Sequence, residues 1–169
     1  MAVLKDDDKQ KVSQFFEAVE HPVTLVMFTQ EYECDYCTMT RELVEELAAL
    51  SDMIALEVYD FVKDEEKVKA YGIDKIPATV ILGDKDYGIR FYGVPAGYEF
   101  MSLIEGIVDV GKRAHGLSDT IVTQLQQVDR PVRMQAMVSP TCPYCPRAVR
   151  TAHKFAMASD QITGDMVEV

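Results

Sequence analysis

A repeat constrains this chain more than any other feature. Cys34-Asp-Tyr-Cys37 recurs as Cys142-Pro-Tyr-Cys145 at an offset of 108 residues (142 − 34), and the flanks recur with it. "HPVTLVMFTQEYE" precedes the first turn and "DRPVRMQAMVSPT" the second, each a Pro-Val start to an apolar run with extended preference. After the turns, Leu43, Val44, Leu47 and Leu50 fall at helical spacing, as do Ala148, Val149, Ala152, Phe155 and Ala156. Both cysteine pairs therefore stand where a strand gives way to a helix. Upstream, Val12, Phe15, Phe16 and Val19 form one apolar helix face, and Ile121, Val122, Leu125 and Val128 its counterpart. Asp8 or a neighbour, and Ser118, are the expected caps.

The first half continues through strand "MIALEVYDF", a short helix near "DEEKVKAYG", strand "ATVILG", the turn "DKDYG" and strand "IRFYG". A closing helix follows, with Phe100, Leu103, Ile104, Ile107 and Val108 on its apolar face. A parallel strand-helix-strand, a hairpin and a covering helix make an α/β fold with a mixed central sheet flanked by helices. The expected organisation is a complete unit over residues 1–116 and an incomplete second unit over 117–169, ending at its second strand. A lone strand-helix-strand leaves a sheet edge and an apolar helix face without cover. The sequence thus predicts a shortened chain or something over that edge, self-association being one way to cover it.

The formal net charge of −11 comes without any Lys/Arg cluster, which argues against nucleic acid as a partner. No run approaches the roughly 20 apolar residues of a membrane helix, and charges interrupt the first 21 residues, so no membrane association and a cytoplasmic location are expected. In a reducing compartment, four cysteines point to catalysis or metal binding before permanent cross-links.

Three chemistries compete for the pairs. A four-thiolate metal site needs its knuckles to converge, and here most of a domain separates them, while His21, His115 and His153 have no ligand spacing to any cysteine. The histidines read as surface or packing residues, and no metal is expected. A permanent bridge over so short a loop removes little entropy from the unfolded chain. Disulfide exchange uses the position better. Unpaired N–H groups at a helix start favour thiolate, and a cysteine three residues on can release a mixed disulfide. Cys34 and Cys142 are the expected attacking residues, each at a helix start, with Cys37 and Cys145 resolving. Asp35 disfavours a Cys34 thiolate, whereas Pro143 is neutral and preorganised, so Cys142 is expected to ionise more readily.

Through "CDYC", "SPTCPYCPRAV", "DKIPATVI" and "FYGVPAGYEF" the chain resembles the thioredoxin superfamily. More narrowly, it resembles the tandem protein disulfide oxidoreductases, also called glutaredoxin-like proteins, of archaea and thermophilic bacteria. The resemblance implies a thioredoxin fold, protein disulfides as substrates, no bound cofactor, and a thioredoxin-reductase-like flavoprotein as electron donor. It also implies a cis-proline at Pro77, with the Ile76 backbone offered to an extended substrate. No counterpart of Pro77 follows Cys145. The family's buried acid on the strand before the cysteines is missing too, since "VTLVMFT" has no carboxylate and "VRMQAMV" offers only Gln135. "CPYC" also looks like a glutaredoxin turn, with no clear glutathione site beside it. A non-catalytic docking or electron-relay module is a further alternative. The aromatic group Tyr32, Tyr36, Phe91, Tyr92 and Tyr98 is assigned to the core before a peptide-binding surface.

Overall fold

The computed structural model describes residues 2–169. Its elements in chain order are α1 (Asp6–Phe16), β1 (Val23–Thr29), α2 (Cys37–Ala48), β2 (Ile54–Asp60), α3 (Glu65–Tyr71), β3 (Ala78–Leu82) and β4 (Asp86–Tyr92). A 3-10 turn (Gly97–Glu99) leads into α4 (Phe100–Lys112), followed by α5 (Asp119–Leu125), β5 (Val132–Val138), α6 (Cys145–Ala158) and β6 (Ile162–Glu168). Both repeats take the expected helix, strand, cysteine turn, helix course. Ser118 caps α5, its hydroxyl accepting the Ile121 N–H at 3.4 Å. Asp8 does not cap α1: that helix starts at Asp6 behind Lys5, and all three aspartates lie in its first turn, where they complement the helix dipole.

The six strands form one sheet in the order β2-β1-β3-β4-β6-β5. β3 is antiparallel to β1 and β4, and every other pairing is parallel. Five strands thus point the same way, and β1 and β5 deliver their cysteine turns to the same edge of the sheet. Four strand spacings separate β1 from β5, about 19 Å.

Of the two outcomes expected for the second unit's open edge, the structure shows cover, supplied by β4 of the first unit. β6 lies inside the sheet, paired with β4 from Ile89↔Gly164 to Tyr92↔Val167 and with β5 along its length. Parity explains the fit. Met166 shares a face with Phe91 and packs under α6, while Val167 shares the other face with Tyr92. The open edge among the described residues belongs to β5, which is mostly exposed.

One face of the sheet carries α1, α2, α4 and α6 over a core that includes Leu25, Leu47, Phe91, Leu103, Ile107 and Met166, each fully buried. Full burial of such a side chain contributes about 1.5–3 kcal/mol. The other face is covered by α3 over Val26, Phe28, Val80 and Tyr92. The two repeats also lock through polar contacts. Arg150 of α6 pairs with Glu105 of α4 at 3.1 Å and with Asp109, and the buried His153 ring bonds the Arg90 carbonyl of β4 at 3.1 Å.

Candidate redox site

Cys34–Cys37 and Cys142–Cys145 each form a disulfide between residues three apart, with Cα atoms 5.5 Å apart. The helix starts differ from expectation by one turn. Cys37 and Cys145 are the first helical residues, behind Tyr36 and Tyr144, and Cys34 and Cys142 occupy the turns ahead. Pro146, not Pro143, sits in the first turn of α6. The physical argument survives the shift, because the first N–H groups of a helix point back at those turns. At the second site this is explicit: the Cys145 N–H donates to Cys142 Sγ at 3.2 Å. At the first, Thr40 N–H and Oγ1 both donate to the Tyr36 carbonyl and close the opening turn of α2. Cys34 is half-buried and Cys37 is 2 % exposed, while Cys142 and Cys145 are both half-buried.

The Ile76–Pro77 peptide is cis. Tyr36 of the Cys34 turn lines a cleft of about 360 Å³ together with Lys75, Ile76, Pro77, Tyr92 and Val167. The second pair faces a different loop. The Tyr98 N–H donates to the Pro140 carbonyl at 3.3 Å, and a Cβ on Gly97 would lie 2.5 Å from that same oxygen.

The aromatic group splits. Phe91 and Tyr92 are core, whereas Tyr32, Tyr36 and Tyr98 are 77 %, 57 % and 53 % exposed, and Tyr144 joins them at 79 %. The split follows the chain, since Phe91 and Tyr92 lie in a central strand and the others in turns at the redox edge. His153 is a packing residue, edge-on to Phe91 with ring centroids 4.7 Å apart. Among the described residues, no three His, Cys, Asp or Glu side chains cluster as metal ligands, and the two cysteine pairs stand too far apart to converge on one ion.

Sequence reasoning overlooked Glu99. It ends the 3-10 turn that packs against α6, is 2 % exposed, and neither carboxylate oxygen has a hydrogen-bond partner among the described residues. Burial pushes its carboxyl above the usual carboxylate range. The signal was available: Glu99, Leu103 and Ile107 are spaced four apart on the buried stripe of the closing helix. A carboxyl on such a stripe is a proton-holding group in the turn that packs against α6.

Residues 25–105 match the family model described as Thioredoxin domain. That stretch is a thioredoxin-like domain. The chain's thioredoxin fold is similar to the protein disulfide oxidoreductase of Aeropyrum pernix K1, with a TM-score of 0.90 and 27 % identity over 99 % of this chain and 76 % of that one. It is likewise similar to the alkylhydroperoxide reductase AhpF of Enterococcus faecalis, solved as a C503A mutant, with a TM-score of 0.88 and 26 % identity over 97 % of this chain and 79 % of that chain. Among curated proteins, an alkyl hydroperoxide reductase component of Staphylococcus epidermidis is 26 % identical over 98 % of this chain, and the NADH dehydrogenase of Bacillus subtilis 22 % over 98 %. The chain spans 30 % of the length of each of these two relatives. Among the described residues, no helix is long and apolar enough to cross a membrane. Two Cys-x-x-Cys pairs at disulfide distance on a thioredoxin fold support dithiol-disulfide exchange.

Proposed function

We propose that this chain is a thiol-disulfide oxidoreductase acting on protein disulfides, with one redox pair in residues 1–116 and a second in residues 117–169. In the reducing direction the Cys34 thiolate attacks one sulfur of a substrate disulfide. A mixed disulfide forms and the first substrate sulfur leaves as thiolate. Cys37 then attacks Cys34 Sγ and expels the second substrate sulfur, leaving Cys34–Cys37 oxidised and the substrate two electrons richer. Cys142 and Cys145 perform the same steps at the second turn, where Glu99 takes the proton that Cys145 must lose. A thioredoxin-reductase-like flavoprotein supplies the electrons that reduce both pairs again. The observation carrying this reading is the placement of each pair at a helix start on one edge of a common sheet, with the second helix's N–H already on Cys142 sulfur.

A second reading is supported by the curated relatives, named as reductases and dehydrogenases in which this span is 30 % of the length. On that reading the chain is a relay that docks on a larger reductase and passes its electrons outward. The test is reduction of a model protein disulfide driven by dithiothreitol, comparing the parent with Cys34→Ser and Cys142→Ser. Loss of turnover with Cys34 alone assigns it to the first pair; loss with Cys142 alone assigns it to the second. Full turnover in both single variants and in the double variant refutes the proposal.

A further inference from the structure

The cleft beside the Cys34 turn is not built by the first unit alone. Asp74 opens the segment Asp74-Lys75-Ile76-Pro77, and its carboxylate is held from the second unit. Arg133 of β5 donates Nη1 to Asp74 Oδ2 at 2.9 Å and Nη2 to Oδ1 at 3.2 Å, the two-pronged geometry that fixes orientation as well as distance. The third arm of the fork, Nε, donates to Asp165 Oδ2 at 2.6 Å. Asp165 lies on β6, is 1 % exposed, and takes a further bond from Gln135 at 3.2 Å. Arg133 is therefore anchored to a buried carboxylate on one side and grips the loop on the other. Lys75, next in that loop, lies 5.0 Å from the Tyr92 ring centre, and Val167 of β6 forms part of the cleft wall.

We infer that the second unit completes the substrate cleft of the first, with Arg133 as the positioning residue for the Asp74–Pro77 loop. The cleft takes an extended polypeptide that carries an aliphatic side chain next to its disulfide. Two observations select that ligand. The Ile76 backbone makes no hydrogen bond among the described residues, leaving it free to pair with an extended strand. Tyr36, Pro77 and Val167 give the cleft an apolar part that suits an aliphatic group, next to the charged Lys75 and Glu168. The Arg133 guanidinium also holds the Asp74 carboxyl at about 2, so the grip persists across any neutral assay. This inference rests on Cys34–Cys37 being a reaction centre.

The experiment uses a chain carrying Cys142→Ser and Cys145→Ser, so that only the first pair turns over. Its substrates are a leucine-flanked peptide disulfide and hydroxyethyl disulfide, which is too small to reach the cleft walls. Asp74→Ala, which leaves the Arg133–Asp165 bond in place, is expected to raise KM for the peptide on the order of tenfold, with kcat and the small-disulfide kinetics within about twofold. Arg133→Lys keeps the charge but loses the fork, and is expected to fall between Asp74→Ala and the parent. Equal losses on both substrates, or no change in peptide KM, overturn the inference. If the parent chain reduces neither substrate, the reaction-centre reading fails, and amide shifts on titrating that chain with the oxidised peptide decide the cleft. Shifts at Lys75, Ile76 and Val167 that vanish in Asp74→Ala support it, and none at those positions overturns it.

Discussion

Replacing His153 with glutamine is expected to remove about 3 kcal/mol of the acid sensitivity of the fold between pH 7 and pH 4. The ring is fully buried on α6, its Nε2–H donates to the Arg90 carbonyl, and Nδ1 has no hydrogen-bond partner among the described residues. Protonation would place an unpaired charge between Phe91 and the backbone. Burial, with Arg150 and Arg90 adding to it, pushes the imidazole from 6.5 down to about 3. The sign follows. Folded pKa lies below unfolded pKa, so the contribution to stability is complete above 6.5 and is lost as pH falls toward 3. Between pH 7 and pH 4 the unfolded chain takes up a proton that the native chain refuses over about 2.5 pH units, which at about 1.36 kcal/mol each amounts to about 3 kcal/mol.

Urea denaturation of the oxidised parent and of His153→Gln at pH 7, 5.5 and 4 measures this directly. The carboxylates titrate alike in both chains, so the difference between the two pH dependences isolates the histidine. The parent is expected to lose about 3 kcal/mol more than the variant over that range. The variant starts lower at pH 7, because an amide does not reproduce the edge-on contact with Phe91, but the slope carries the argument. Parallel curves within about 1 kcal/mol would refute the reasoning, as would an imidazole resonance titrating above pH 6.

Glu99 gives the opposite pH dependence. Burial raises its carboxyl above 4.5, so its neutral form contributes stability fully below that pH and loses it as pH rises through the folded value; Glu99→Gln is expected to be more stable than the parent at pH 8 and not at pH 4, while slowing release of substrate from Cys142. Gly97→Ala forces an alanine to φ +60 and sets its Cβ 2.5 Å from the Pro140 carbonyl, and thermal unfolding should show a loss of about 1–2 kcal/mol with slower turnover at the second pair only. With both pairs reduced, iodoacetamide should modify Cys142 faster than Cys34, because the Cys145 N–H reaches Cys142 sulfur while Asp35 stands next to Cys34. Faster modification of Cys34, read by peptide mass mapping, would reverse that assignment.

Local features of the fold were legible because short-range chemistry determines them. Leu43, Val44 and Leu47 on α2, and Val149, Ala152 and Ala156 on α6, are buried where the helical spacing placed them. Phe15 failed the same test at 45 % exposure, since α1 offers only Val12 and Phe16 to the core. What spacing cannot carry is the identity of a strand's neighbour. Ile162–Glu168 reads as an apolar strand whether it ends a sheet or lies within one, and only its pairing with β4 brings Val167 beside Tyr92.

That pairing also explains why a repeat was misleading at the sites. Two copies of one motif suggest two self-sufficient centres, each served by its own loops. In the merged sheet the segment before Cys142 meets Gly97 and Tyr98 of the first copy, while the cleft lined by Tyr36 and Pro77 includes Val167 and the Arg133 grip of the second. The surroundings of each cysteine turn therefore include residues of the other repeat. A change confined to one copy, such as Gly97→Ala in the first, should accordingly register at the cysteine pair of the other.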